Sequence, residues 1–170
     1  MSSPQTTPSP PATASPLYKT MHATAIEFIE SQTLDPTQPT RMSTSRIRAI
    51  RSPNFTHSWG HNYHVSITPP LRGTLSVDDF IAHLESMTPR LESWDTIITD
   101  MIVDEAKLSV VVRASYHMHA KGAEEKVEND LVWFLDMEQG GKRVQKGMEF
   151  IDAMAGARLR ELMQGGGGKG

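Results

Sequence analysis

The chain has 170 residues, 38% of them hydrophobic and 22% charged, with a formal net charge of −3 and no cysteine. That length supports one buried core and leaves no room for two full domains. The acidic balance lacks the basic footprint of a nucleic-acid binder, and Arg41, Arg46, Arg48 and Arg51 read as a solvated helix face. The missing cysteines exclude disulfides, thiol nucleophiles and thiolate metal sites.

Residues 1–16, "MSSPQTTPSPPATASP", are too polar to offset their ordering entropy and read as a flexible tail without the features of a secretory signal. From Leu17 to Leu34, the apolar residues Leu17, Met21, Ile26, Ile29 and Leu34 recur at helical intervals, and Asp35-Pro36 ends the pattern. A second, shorter helix fits residues 40–50 and stops before Pro53. Residues 54–73 mix aromatics, histidines, Gly and Pro without a period and read as an irregular, partly buried segment. Ser76 three residues before Asp79 is an imperfect capping box for a third helix, with Val77, Phe80, Ile81, Leu84 and Met87 on its apolar side and Pro89 at its end.

After Trp94 the period changes. Residues 95–105, 107–120, 128–137 and 143–152 are rich in β-branched and aromatic residues and read as four strands joined by short turns, an antiparallel meander. A last helix covers 153–163, and "QGGGGKG", from residue 164, is a flexible tail that lacks the strand and the helix of a phosphate loop. Helices first and a sheet afterwards gives an α+β fold. No apolar stretch reaches the ~18 residues of a membrane span, so no membrane association is expected and the location is expected to be cytoplasmic.

The stretch "NDLVWFLDMEQGGKRVQKGMEFID" carries Asn129, Asp130, Trp133, Gly141, Lys142, Glu149, Phe150 and Asp152. With "SPNFTH" (52–57) and "VDDFIAHL" (77–84), it resembles the SnoaL-like branch of the nuclear transport factor 2-like superfamily, in particular fungal proteins of secondary metabolism. The resemblance covers residues 17–163. It implies a conical, curved antiparallel sheet wrapped around N-terminal helices, a cystatin-like α+β barrel enclosing an apolar pocket. It also implies acid-base chemistry without metal or organic cofactor, and dimers through the outer sheet face. Such folds host cyclases, isomerases, dehydratases and non-catalytic binding proteins alike.

Within 107–120, alternation places Arg113, Ser115, His117 and His119 on one face and Val112, Ala114, Tyr116 and Met118 on the other. An inward apolar face leaves both histidines in solvent; a cone that buries both faces gives them a cavity instead. The likeness to scytalone dehydratase, a distant member, matches His117 and Asp130 to catalytic positions. It implies a His/carboxylate pair, with Glu149 opposite Val132 on the next strand. His57, Tyr116, His119, Asn129, Trp133, Glu149 and Asp152 are the expected pocket or supporting residues, with a carboxylate at the cavity mouth or paired with Arg113. Of Trp133 and Phe134, which point to opposite faces, at least one packs in the core or pocket. His57, His61 and His64 would align as metal ligands only on a helix, which Gly60 opposes, so no metal is expected. The expected function is isomerisation or cyclisation of an apolar polycyclic small molecule, with dehydration or non-catalytic binding as alternatives.

Overall fold

The computed structural model describes residues 7–165. The expected tails therefore lie in part outside the described residues. The elements run α1 (Pro16–Glu30), α2 (Thr44–Ala49), β1 (Arg51–Trp59), α3 (Asn62–Ile67), α4 (Val77–Met87), β2 (Leu91–Asp104), β3 (Ser109–Ala120), β4 (Lys126–Met137), β5 (Val144–Phe150) and α5 (Ala153–Gly165). Gln164 and Gly165, expected in the C-terminal tail, belong to α5.

The five strands form one curved, unclosed sheet in the order β1-β5-β4-β3-β2. β2 to β5 are the antiparallel meander read from the sequence, while β1 adds to the edge of β5 in parallel. β1 is a correction to the irregular segment expected over 54–73, of which only the part after Trp59 departs from the sheet. Its signal is masked because His57 takes an inward position between Phe55 and Trp59, and because Pro53 breaks the run. Pro53 is tolerated because regular pairing with β5 resumes only at Thr56, so its missing N–H removes no ladder bond there.

β2 likewise starts at Leu91, four residues before the expected strand, after a tight turn at Thr88–Arg90 built on Pro89. Extra residues at Glu92 and Thr99 interrupt its register with β3. Such bulges bend a sheet locally and contribute to its curl.

The concave face is continuous core. Val110, Val112, Ala114, Tyr116 and Met118 of β3 and Val127, Leu131, Trp133 and Leu135 of β4 are buried there. Against them lie Met21, Ala25, Phe28 and Ile29 of α1. α1 starts at a defined cap: Ser15 Oγ accepts the Tyr18 N–H at 2.9 Å, and Pro16 occupies the first turn, where an N–H is not needed. Gly141, at φ 71°, lets the β4–β5 turn sit against α1, where its carbonyl accepts from Thr24 Oγ1 at 2.7 Å. A Cβ at Gly141 would lie 2.6 Å from Met21 Cγ. The capping box of α4 is complete, with Ser76 and Asp79 each satisfying the other's backbone N–H.

Trp133 is fully buried on the concave side, and Phe134, 46% exposed, stands on the convex side. No helix among the described residues is long and apolar enough to cross a membrane.

Candidate active site

A cavity of about 170 Å³ lies between the concave face, α4 and α5. All five strands and two of the helices contribute to its wall. α4 presents Phe80, His83, Leu84 and Met87; the strands present Trp59, Trp94, Tyr116, Met118, Asn129 and Glu149; α5 presents Leu159, Arg160 and Met163. The lining is apolar with a few polar groups among it, the usual character of a small-molecule site.

Glu149 is the principal polar group. It stands between two tryptophans, opposite Trp59 on β1 and Trp133 on β4, so a carboxyl group is held on an aromatic floor. Its side chain is 12% exposed. Burial raises its pKa to about 8, and the Trp59 indole directed at the carboxyl pulls the other way. Near neutral pH the neutral acid is therefore favoured.

The backbone around Glu149 is fixed from the β1 side. Gly60 N–H donates to the Glu149 carbonyl at 2.7 Å. A side chain at Gly60 would collide with the Phe150 ring, which lies 2.2 Å from the position its Cβ would take.

His57 Nε2 lies 3.8 Å from Glu149 Oε2, beyond hydrogen-bond length, and neither ring nitrogen of this fully buried histidine has a partner. Burial, with smaller contributions from His83 and Arg51, lowers its pKa to about 3. His57 is therefore a neutral ring packed among Trp59, Phe80 and Trp133 at centroid distances of 4.4 to 5.3 Å. His83, edge-on to Trp59 at 5.3 Å, also has its pKa lowered by burial, but it lines the cavity.

Tyr116 Oη accepts the Trp133 indole N–H at 3.1 Å, which leaves the phenolic proton free to donate elsewhere. Burial raises the Tyr116 pKa, so it remains a neutral donor. Asn129 Oδ1 accepts the Asp152 N–H at 3.0 Å, fixing the amide at the wall. The enclosed indole N–H of Trp94 has no acceptor among the described residues.

Of the residues singled out in the sequence, Tyr116, Asn129 and Glu149 line the cavity, and His57 and Trp133 pack directly behind it. His117 and Asp130 do not reach it, which corrects their expected catalytic placement. β3 turns its apolar alternates inward, so His117 stands on the convex face, paired across the ladders with Asp95 and Glu128. Asp130 shares that face and is held by Arg113, whose Nη2 lies 2.5 Å from its carboxylate. That guanidinium keeps the Asp130 pKa low. His119, on the same face, bonds the Ala123 carbonyl through Nε2 at 2.9 Å.

Asp152 neither closes the cavity nor meets Arg113: its carboxylate accepts from the backbone N–H groups of Met154 and Ala155 and starts α5. The pairing of Glu149 is also one residue from expectation, since it faces Trp133 while Phe150 faces Val132. His57, His61 and His64 diverge: His61 meets the Phe150 ring edge-on, and His64 meets Thr68. Among the described residues no three His, Asp or Glu side chains are grouped to hold a metal ion.

Sequence reasoning missed His83, Trp59 and Trp94. His83 follows Phe80 by three positions, so the helical period that marked Phe80 and Leu84 as inward marks His83 as well. Trp59 was hidden in the segment taken as irregular.

No protein-family model and no curated protein sequence matches the chain. Solved structures do. PrhC from Penicillium brasilianum superposes with a TM-score of 0.70 at 19% identity, over 88% of this chain and 91% of that one. The BvnE pinacolase from Penicillium brevicompactum gives 0.71 at 14% identity, over 90% and 97%. A protein from Jannaschia sp. CCS1, provisionally named a SnoaL-like polyketide cyclase, gives 0.65 at 13%, over 86% and 94%. The concave cavity, the parallel edge strand and these superpositions agree: the chain has a SnoaL-like fold.

Proposed function

We propose that the protein is a cofactor-independent acid-base enzyme of secondary metabolism that isomerises or cyclises an apolar polycyclic substrate in the cavity beneath α5. The observation that carries this is that an enclosed carboxyl, Glu149, and an imidazole, His83, line one apolar cavity. Glu149 is a neutral acid at pH 7 and His83 a neutral base, so proton donor and proton acceptor are both in their working forms. In water the glutamate would be ionised at pH 7 and part of the histidine would be charged.

The proposed chemistry begins with a carbonyl oxygen of the substrate accepting hydrogen bonds from Glu149 and Tyr116. His83 removes a proton from the carbon next to that carbonyl, and Glu149 delivers its proton to the oxygen, giving a neutral enol. Return of a proton at another carbon isomerises the substrate; attack of the enol carbon on a second electrophile cyclises it. Tryptophans and methionines around the pair keep bulk water from competing for the enol. The description of one fold neighbour as a pinacolase and of another as a polyketide cyclase supports rearrangement or cyclisation of an apolar carbon skeleton.

The convex face supports a homodimer in the same proposal. Ile102, Val111, Phe134 and Met148 are consecutive ladder partners there and form an apolar row across β2 to β5. Ile102 is 63% exposed.

The test needs no knowledge of the natural substrate. Enolisable polycyclic ketones are incubated with the protein in D₂O, and deuterium uptake next to the carbonyl is followed by mass spectrometry. Exchange catalysed by the wild type and lost in Glu149→Gln is the expected result. Binding of the ketones without exchange would favour a non-catalytic ligand-binding protein.

A further inference from the structure

Arg51, the first residue of β1, is 2% exposed and forms no ion pair with a carboxylate among the described residues. Its Nη1 donates to the Ile47 carbonyl at 2.9 Å and lies 3.4 Å from Ser31 Oγ, while Nε and Nη2 have no partner. Three rings enclose the guanidinium, with Cζ 4.1 Å from the centroid of Phe28, 5.0 Å from Phe80 and 5.1 Å from Phe55. Ring faces attract a cation, but they do not replace a counter-ion. A buried charge left unpaired is costly, and a hydrophobic residue in its place is often at least as stable. Burial lowers the Arg51 pKa only to about 9, so the charge persists at neutral pH.

The proposed active site lies next to this charge. Phe80 both packs on Arg51 and lines the cavity. Arg51 also acts through space on His57, which it disfavours as a cation, and on Tyr116, whose ionised form it favours. The titratable groups facing this region are Glu149, His57, His83 and Tyr116, all neutral at pH 7, together with Arg160, which is exposed on α5. The enclosed region thus carries an uncompensated positive charge.

We propose that Arg51 is a positioning residue of the cavity: a permanent positive charge sealed behind Phe80 that makes the cavity select ligands carrying or developing negative charge on oxygen, such as enolates and phenolates. This rests on the cavity being the ligand site. During turnover the charge would stabilise the negative charge that develops on the carbonyl oxygen before the Glu149 proton reaches it; in binding it would favour acidic polycyclic alcohols over hydrocarbons of the same shape.

Substituted 2-naphthols of graded acidity, with naphthalene as the uncharged control, test this on the full-length protein. Naphthol absorbance reports whether the bound molecule is ionised. In the wild type, the pKa of bound naphthol should fall by about one unit, a tenfold preference for the anion. Arg51→Met should abolish that shift and leave naphthalene binding unchanged, Arg51→Lys should retain part of it, and Arg113→Gln, on the convex face away from the cavity, should leave it intact. A merely structural Arg51 would not change the ionisation of a bound naphthol. An upward shift in the wild type, as an uncharged apolar cavity gives, would overturn the role of Arg51 alone, and it needs no variant to fold. Failure of both naphthols and naphthalene to bind would overturn the cavity as a ligand site, and this inference with it.

Discussion

Glu149 and Asp130 sit on adjacent strands of one sheet, yet they face opposite sides and opposite chemistry. Asp130, on the convex face, meets Arg113 and solvent, and its pKa is held below the ordinary carboxylate value. Glu149, on the concave face, meets Trp59, Trp133 and the cavity, and its pKa is pushed up to about 8. A carboxylate in the first setting is a surface ion pair, contributing about 0 to 1 kcal/mol. In the second its raised pKa suits it to donate a proton near neutral pH, the role proposed for it. The side of the sheet, rather than residue type, separates the two roles.

The contrast is broken most severely at Glu149. Glu149→Gln keeps the shape of the side chain and removes its proton, so ketone exchange in D₂O should fall by roughly 10²- to 10⁴-fold. Undiminished exchange would remove Glu149 from the chemistry. His83→Asn tests the partner; a loss of at least about 10²-fold is expected, measured by the same exchange, with α4 retained by circular dichroism.

Stability against pH sharpens the comparison. For Glu149 the folded pKa lies above the unfolded one, so its contribution is fully present below about 4.5 and is lost as pH rises toward 8. For His57 the folded pKa lies below the unfolded one, and stability falls as pH drops from about 6.5 toward 3. Thermal unfolding of the wild type should therefore peak between pH 4.5 and 6.5 as far as these two groups decide it. Glu149→Gln should flatten the alkaline limb and His57→Phe the acid limb. A limb unchanged in its variant would assign that loss to other groups.

The smallest effects are expected on the convex face. Asp130→Asn should cost no more than about 1 kcal/mol in denaturant unfolding. His117→Ala should leave D₂O exchange within about twofold of wild type, as expected of a surface substitution away from the site. Loss of exchange in His117→Ala would return the chemistry to the convex side.

The fold was largely legible because its strongest signals are periodic: the apolar face of α4, the β-branched runs of β2 to β5 and the turns between them. β1 was not, since parallel pairing at a sheet edge leaves no hairpin in the sequence, and His57 and Pro53 disguise its alternation. The site was legible in parts. Glu149, Asn129 and Tyr116 were marked by the resemblance or by their position on the inward face. His117 misled because matching a strand to a distant relative does not decide which face lines the cavity, and a one-residue difference of register inverts every side chain. Alternation alone, with the apolar side of β3 inward, placed His117 correctly. The properties of Glu149 could not be read along the chain, because its neighbours Trp59 and Trp133 are brought to it only by the sheet.

The most direct measurement is the ionisation of Glu149 itself. Infrared difference spectra between wild type and Glu149→Gln, recorded from pH 4 to pH 10, isolate its carbonyl band. The expected result is a protonated carboxyl at pH 7 that titrates near 8. A carboxylate band already complete by pH 6 would contradict the neutral acid on which the proposed function depends.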